Sequence, residues 1–178
     1  GALNGLILIG LKVPSFLVTL GMLSVLSGIA NMVTGGTSIM FMDFSLTSTV
    51  NATMLGGVPN IILIAALAAA LLTFVAFKTT LGRYLYAIGG GELVAANAGV
   101  PVLRYKVMAF MLSGALCGLA GVMLTAQVGA GTPTAGANML LDSIAAIVMG
   151  GTALSGGIGG PHRTILGVLV IAILSNGM

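Results

Sequence analysis

The chain has 178 residues, 58% of them hydrophobic and 5% charged, with six Lys and Arg against three Asp and Glu. A soluble domain carries about a quarter of its residues as charges, so this chain cannot clothe a water-facing surface. Its net charge of +3 comes without tryptophan and without bases interleaved among aromatics, so no nucleic-acid partner is expected.

The chain opens in an apolar stretch, "GALNGLILIGL", and stops in another, "LVIAILSNGM". It therefore reads as a fragment of a longer membrane chain, with spans missing at both ends. Gly1 to Leu11 is too short to cross a bilayer, which takes about 20 residues. The Lys12-Val13-Pro14 step ends it, because proline disfavours helix at the preceding residue. Ser15 to Thr34 is long enough to span. Gly21, Ser24, Gly28 and Asn31 recur there at offsets of three and four, which puts them on one face. Such a face allows close helix approach and gives Asn31 an interior to meet.

Gly35 to Asn60 is rich in Gly, Ser and Thr and reads as an extramembrane or re-entrant loop carrying Asp43. Its Asn51-Ala52-Thr53 triplet matches a glycosylation sequon, a match best ascribed to chance. Pro59 suits a helix start, and Ile61 to Phe77 makes a second full span. A polar segment, Lys78 to Lys106, follows. Val107 to Val128 is a third span, with Gly114, Gly118, Gly121 and Thr125 as a second small-residue face. Gly129 to Leu141 reads as a loop and Asp142 to Met149 as a short apolar helix that Asp142 caps. The break "GGTALSGGIGGPHR" precedes a last apolar segment from Thr164. Irregular backbone at membrane depth has to be buried in protein or line a watery cavity.

With alternating spans, Lys12, Lys78, Arg83, Arg104, Lys106 and Arg163 fall on one side, and Asp43 and Asp142 on the other. Bases gather on the cytoplasmic side, since each would cost about 2.5–3.5 kcal/mol at mid-bilayer. Residues 78–106 are thus expected as a cytoplasmic loop. Inside it, "ELVAANA" from Glu92 to Ala98 favours helix between Gly89-Gly90-Gly91 and Gly99-Val100-Pro101. A two-turn helix held between two spans is a small rigid knob on which a partner could dock, or an ordinary connection.

Chemistry-bearing patterns are missing. No lysine follows a glycine, so there is no GxxxxGK[ST] phosphate loop, and no GxGxxG is completed. The lone His162 precludes HExxH, and the lone Cys117 precludes an internal disulfide. No nucleophile stands beside a base and an orienting group, so no catalysis is expected, and neither a metal nor a cofactor of its own. The eleven methionines read as packing filler. Asn31, Gln127 and Asp142 are polar side chains in or near spans. Each could line a path, but Asn31 and Gln127 could equally bond neighbouring helices.

Three stretches carry a family likeness: "VPSFLVTLGMLSVLSGIA" (Val13–Ala30), "TTLGRYLYAIGGGELVAANAGVPV" (Thr79–Val102) and "LLDSIAAIVMGGTALSGGIGG" (Leu140–Gly160), the last followed by "TILGVLVIAILSNGM". In this order they resemble the inner-membrane permease subunit of bacterial ABC importers of the ribose, xylose and arabinose type, relatives of the branched-chain amino-acid permeases. Leu141 stands where such permeases often carry glutamate, and Gly91 where asparagine is common. The resemblance implies an all-α, polytopic transmembrane helix bundle, with residues 1–178 as one partial permease domain. It implies a second permease subunit, a cytoplasmic ABC ATPase that binds ATP and magnesium, and a periplasmic solute-binding protein, assembled in the bacterial inner membrane. It also implies that segment 89–101 is the coupling segment, with Glu92, Ala95, Ala96 and Gly99 matching its pattern. The expected cargo is a monosaccharide. Branched-chain amino acids or nucleosides are the alternative cargoes, and a passive channel or facilitator is the alternative class.

Overall fold

A computed structural model describes the chain except residues 12, 41–51, 56–57, 135, 137–138 and 178. Lys12, Asp43 and the Asn51 of the sequon lie outside the described residues. Eight helices are described: α1 Ala2–Leu11, α2 Ser15–Thr34, α3 Asn60–Lys78, α4 Thr80–Gly90, α5 Glu92–Asn97, α6 Val102–Val128, α7 Met139–Met149 and α8 Pro161–Gly177. Between them lie the short strands β1 Ile39–Met40, β2 Thr53–Leu55, β3 Val58–Pro59 and β4 Ala130–Gly131. The helices α2, α3 and α6, of 20, 19 and 27 residues, are long and apolar enough to cross a membrane. Within the chain none of the three buries its spanning stretch. That surface has to be covered by lipid or by other helices, since lipid-facing side chains need no protein partner.

Hydroxyls and amides along the helices bond to their own helix carbonyls. Thr73 Oγ1 donates to Ala69 O at 2.7 Å, Thr125 Oγ1 to Gly121 O at 2.8 Å and Asn31 Nδ2 to Ser27 O at 2.9 Å. Back-bonding of this kind satisfies polar groups where water is absent.

The chain divides into two compact units, and α3 and α6 contribute residues to both. The first comprises Gly1–Leu63 and Lys106–Gly136. Here α1 packs on α6 through glycine: a Cβ on Gly114 would lie 2.6 Å from Gly1 Cα, and one on Gly5 would lie 3.2 Å from Val107 Cα. The strands β1 and β4 pair antiparallel, Ile39 opposite Gly131 and Met40 opposite Ala130. That pairing joins the segment after α2 to the segment after α6, so the two loops read from the sequence meet at one end. A groove of about 330 Å³ between α1 and α2 is lined by Ile7, Leu11, Val13, Leu17, Val18 and Met22, among others. Those side chains are apolar and offer a hydroxyl group nothing to bond.

The second unit comprises Ile64–Tyr105 and Ala137–Met178. Its centre is the α7–α8 hairpin, in which Ala146 and Gly167 are buried. A Cβ on Gly167 would collide with Ala146 O, and one on Gly150 with Arg163 O. The junction of α3 and α4 is equally close. Thr79 Oγ1 donates to Val75 O at 2.6 Å and accepts from Gly82 N at 3.4 Å. α4 thereby folds back over the last turn of α3, where only a glycine at 82 clears Ala76 O.

Two of the differences from the sequence reading bear on the site. α6 starts at Val102 rather than Val107, because the long Arg104 and Lys106 side chains can leave a helix end with their charged tips outward. Asp142 does not cap α7. The helix begins three residues earlier, at Met139, and Asp142 falls in its first turn, where a carboxylate still favours the positive helix end.

Candidate functional site

The polar segment between α3 and α6 is helical for most of its length. α4 was unforeseen, although Leu81, Tyr84, Leu85 and Ile88 repeat at offsets of three, four and seven, the signal of one helix face. Gly89 and Gly90 belong to that helix. The break falls at Gly91, where the backbone is extended.

α5 follows at once. Ala95 N donates to Gly91 O at 2.9 Å, and the far end closes with Gly99 N to Ala96 O at 3.0 Å and Val100 N to Ala95 O at 3.1 Å. Gly99 holds φ 82 there, a left-handed conformation that glycine adopts without steric cost. Its part is therefore to turn the chain towards α6.

The four residues singled out in this segment separate by exposure. Ala95 is 4% exposed and faces inward, while Glu92, Ala96 and Gly99 are exposed. The sequence reading missed their neighbours Leu93 and Val94, which stand 80% and 73% exposed. Two large apolar side chains on a six-residue helix, in a segment flanked by bases, make a surface that gains by being covered.

Ring contacts join the elements that carry the bases. The Phe77 and His162 rings lie 5.3 Å apart, which joins the end of α3, where Lys78 lies, to the start of α8, where Arg163 lies. The Tyr84 and Tyr105 rings meet edge to face at 4.8 Å, which joins α4, where Arg83 lies, to the start of α6, where Arg104 lies. The Tyr86 hydroxyl donates to Gly159 O at 2.8 Å. So α4, the N-terminal turn of α6 and the turn between α7 and α8 share one end of this unit.

Asn31, Gln127 and Asp142 are all exposed on the chain, and Asn31 spends an amide hydrogen on Ser27 O. Asn31 and Gln127 belong to the first unit and Asp142 to the second. Among the described residues no group of three His, Cys, Asp or Glu could hold a metal ion.

Three long apolar helices joined by a short helical knob define a polytopic membrane protein of helix-bundle class. The family model described as "Branched-chain amino acid transport system / permease component" matches residues 1–178, and the chain belongs to that family. It is 39% identical over 167 residues to the probable ABC transporter permease protein YphD of Escherichia coli, covering 94% of this chain and 50% of that protein. It is 39% identical over 180 residues to the ribose import permease protein RbsC of Bacillus subtilis, covering 98% and 55%. It is 44% identical over 122 residues to the xylose transport system permease protein XylH of Haemophilus influenzae, covering 68% and 32%. The chain thus spans about half the length, or less, of these relatives. No solved structure matches it.

Proposed function

We propose that the chain is part of the membrane-spanning permease subunit of an ATP-driven importer that carries a monosaccharide. The observation that carries this reading is α5: Leu93, Val94 and Ala96 outward and Ala95 inward, in a segment that Lys78, Arg83, Arg104 and Lys106 flank in sequence. A partner that grips this helix covers apolar surface, and the buried Ala95 keeps the helix from rolling under load. The partner is a cytoplasmic ABC ATPase, which supplies ATP and magnesium, so this subunit itself is non-catalytic. A second permease subunit and a periplasmic solute-binding protein complete the assembly in the bacterial inner membrane. The clustered bases support a cytoplasmic placement for residues 78–106, with the coupling surface inside 89–101. Gln127 and Asp142 are the candidates for the path, with the Asn31 amide carbonyl as a third.

A sugar as cargo is supported by relatives named for ribose, xylose and D-allose. A branched-chain amino acid is the second reading, favoured by the family's description.

The test is reconstitution of the full-length permease with its cognate ATPase and binding protein, with uptake measured across a panel of pentoses, hexoses and branched-chain amino acids. The expected result is sugar uptake that needs ATP. In the same system Val94→Asp and Ala96→Arg should leave the permease in the membrane and reduce ATPase co-purification at least tenfold. Unchanged co-purification and uptake in both variants would remove α5 as the docking helix.

A further inference from the structure

The geometry points to Tyr86 as a positioning residue that ties the docking helix to the glycine turn between α7 and α8. The inference rests on reading α5 as the site where the ATPase grips.

The linkage begins at Gly91. Its N–H donates to Ala87 O at 3.2 Å, and its carbonyl accepts from Ala95 N at 2.9 Å, so α4 and α5 are hydrogen-bonded through the one residue between them. A push on α5 is therefore delivered to α4. On one side α4 leans on α6 through the Tyr84–Tyr105 ring contact. On another it meets residues 156–159 by two independent contacts. The first is the part-buried hydrogen bond from the Tyr86 hydroxyl to Gly159 O at 2.8 Å, its ring stacked on Phe77 at 6.1 Å. The second is backbone against backbone: a Cβ on Gly89 would lie 2.5 Å from Gly157 N, and one on Gly157 would lie 2.9 Å from Gly90 N.

The receiving turn is closed by two backbone hydrogen bonds. Ala153 N donates to Ile158 O at 3.0 Å and Gly156 N to Ala153 O at 3.1 Å. A turn tied across in this way can pass displacement on to the helix that precedes it. What it moves is α7, whose 11 residues reach about 16 Å, roughly half the hydrocarbon thickness. The far end of that helix holds Asp142 and Ser143, both exposed. α4 is thus the lever and the turn its contact point, a rigid-body linkage of the kind that turns small shifts into switching.

The test uses the full-length permease in complex with its ATPase, with Cys117 and every further native cysteine replaced by Ala and Ser143→Cys as the reporter. The maleimide labelling rate at the reporter is compared with and without ATP plus vanadate. In the parent complex the nucleotide should change the rate several-fold. Tyr86→Phe keeps the ring and loses the hydrogen bond. It should retain ATPase co-purification and thermal stability while cutting that change roughly three- to tenfold, the scale of one neutral hydrogen bond. Gly89→Ala, which wedges the same contact from the backbone, should retain ATPase co-purification and cut the change similarly, at some cost in thermal stability, whereas Tyr84→Phe should behave as the parent. A full nucleotide-dependent change in both Tyr86→Phe and Gly89→Ala would overturn the linkage and leave docking intact. So would a parent complex that binds the ATPase and shows no change at the reporter. Failure of the parent to retain the ATPase would remove the docking reading, and the linkage with it.

Discussion

Two glycine-bearing faces in this molecule look alike in sequence and behave oppositely in space. On α2, Gly21 and Gly28 have nothing within 4 Å of where a Cβ would stand. On α8, Gly167 sits so close to Ala146 O that no Cβ fits. Both helices are apolar and carry glycine where ordinary helix propensity disfavours it. A glycine stripe therefore states that a close approach is permitted, and the partner's location decides whether it is used. The α8 glycine has its partner in the neighbouring helix of the same hairpin. The α2 face has none among the described residues and stays open.

The sharpest way to break that contrast is to add one methyl group to each face. Gly167→Ala overpacks a backbone-to-backbone contact and should lower the stability of the full-length protein by about 1–3 kcal/mol. Gly28→Ala should leave it unchanged or raise it by up to about 1 kcal/mol, the helix-propensity difference. Thermal unfolding in detergent, read side by side, checks the pair. Equal losses at both positions would mean that the α2 face is packed after all.

A smaller effect separates two adjacent glycines of α4. Gly89 abuts Gly157, whereas the Cβ direction of Gly90 is open. Alanine should thus destabilise at 89 and be neutral or mildly stabilising at 90, although it is the better helix former at each. The difference in unfolding midpoint is the readout, and a matching shift at both would dissolve the proposed seat of the turn. The smallest expected effect is at Asn31. Its amide serves its own helix through Ser27 O, so Asn31→Leu should cost no more than about 0.6 kcal/mol, the average for intramembrane hydrogen bonds. A larger loss would show a partner on the α2 face.

The three long helices were legible because their signal is one-dimensional: length and apolarity decide whether a segment can cross lipid. α2 runs Ser15–Thr34 as expected, and α3 overhangs its expected bounds by one residue at each end. The knob was legible as well, since glycines and Pro101 bracket a helix-forming run. α4 was not, because attention to its bases and to the triple glycine obscured the Leu81, Tyr84, Leu85, Ile88 repeat. Nor was the division of labour along α5. Ala95 and Ala96 are identical in composition, and only the third dimension makes one an anchor and the other surface. Leu93 and Val94 escaped notice for a related reason: in a chain that is 58% hydrophobic, an exposed apolar side chain carries no mark in the sequence. The polar side chains in the helices misled in the other direction. Asn31 suggests an interior partner, and back-bonding supplies an acceptor within its own helix.

The bond between Tyr86 and Gly159 joins residues 73 positions apart, and that separation has a bearing on biogenesis. A ribosome adding about 5–20 residues per second finishes α4 roughly 4–15 s before the glycine turn emerges. The berth is thus built before its occupant arrives. The α7–α8 hairpin, whose first helix is too short to cross lipid by itself, can settle against a finished surface as it leaves the translocation machinery.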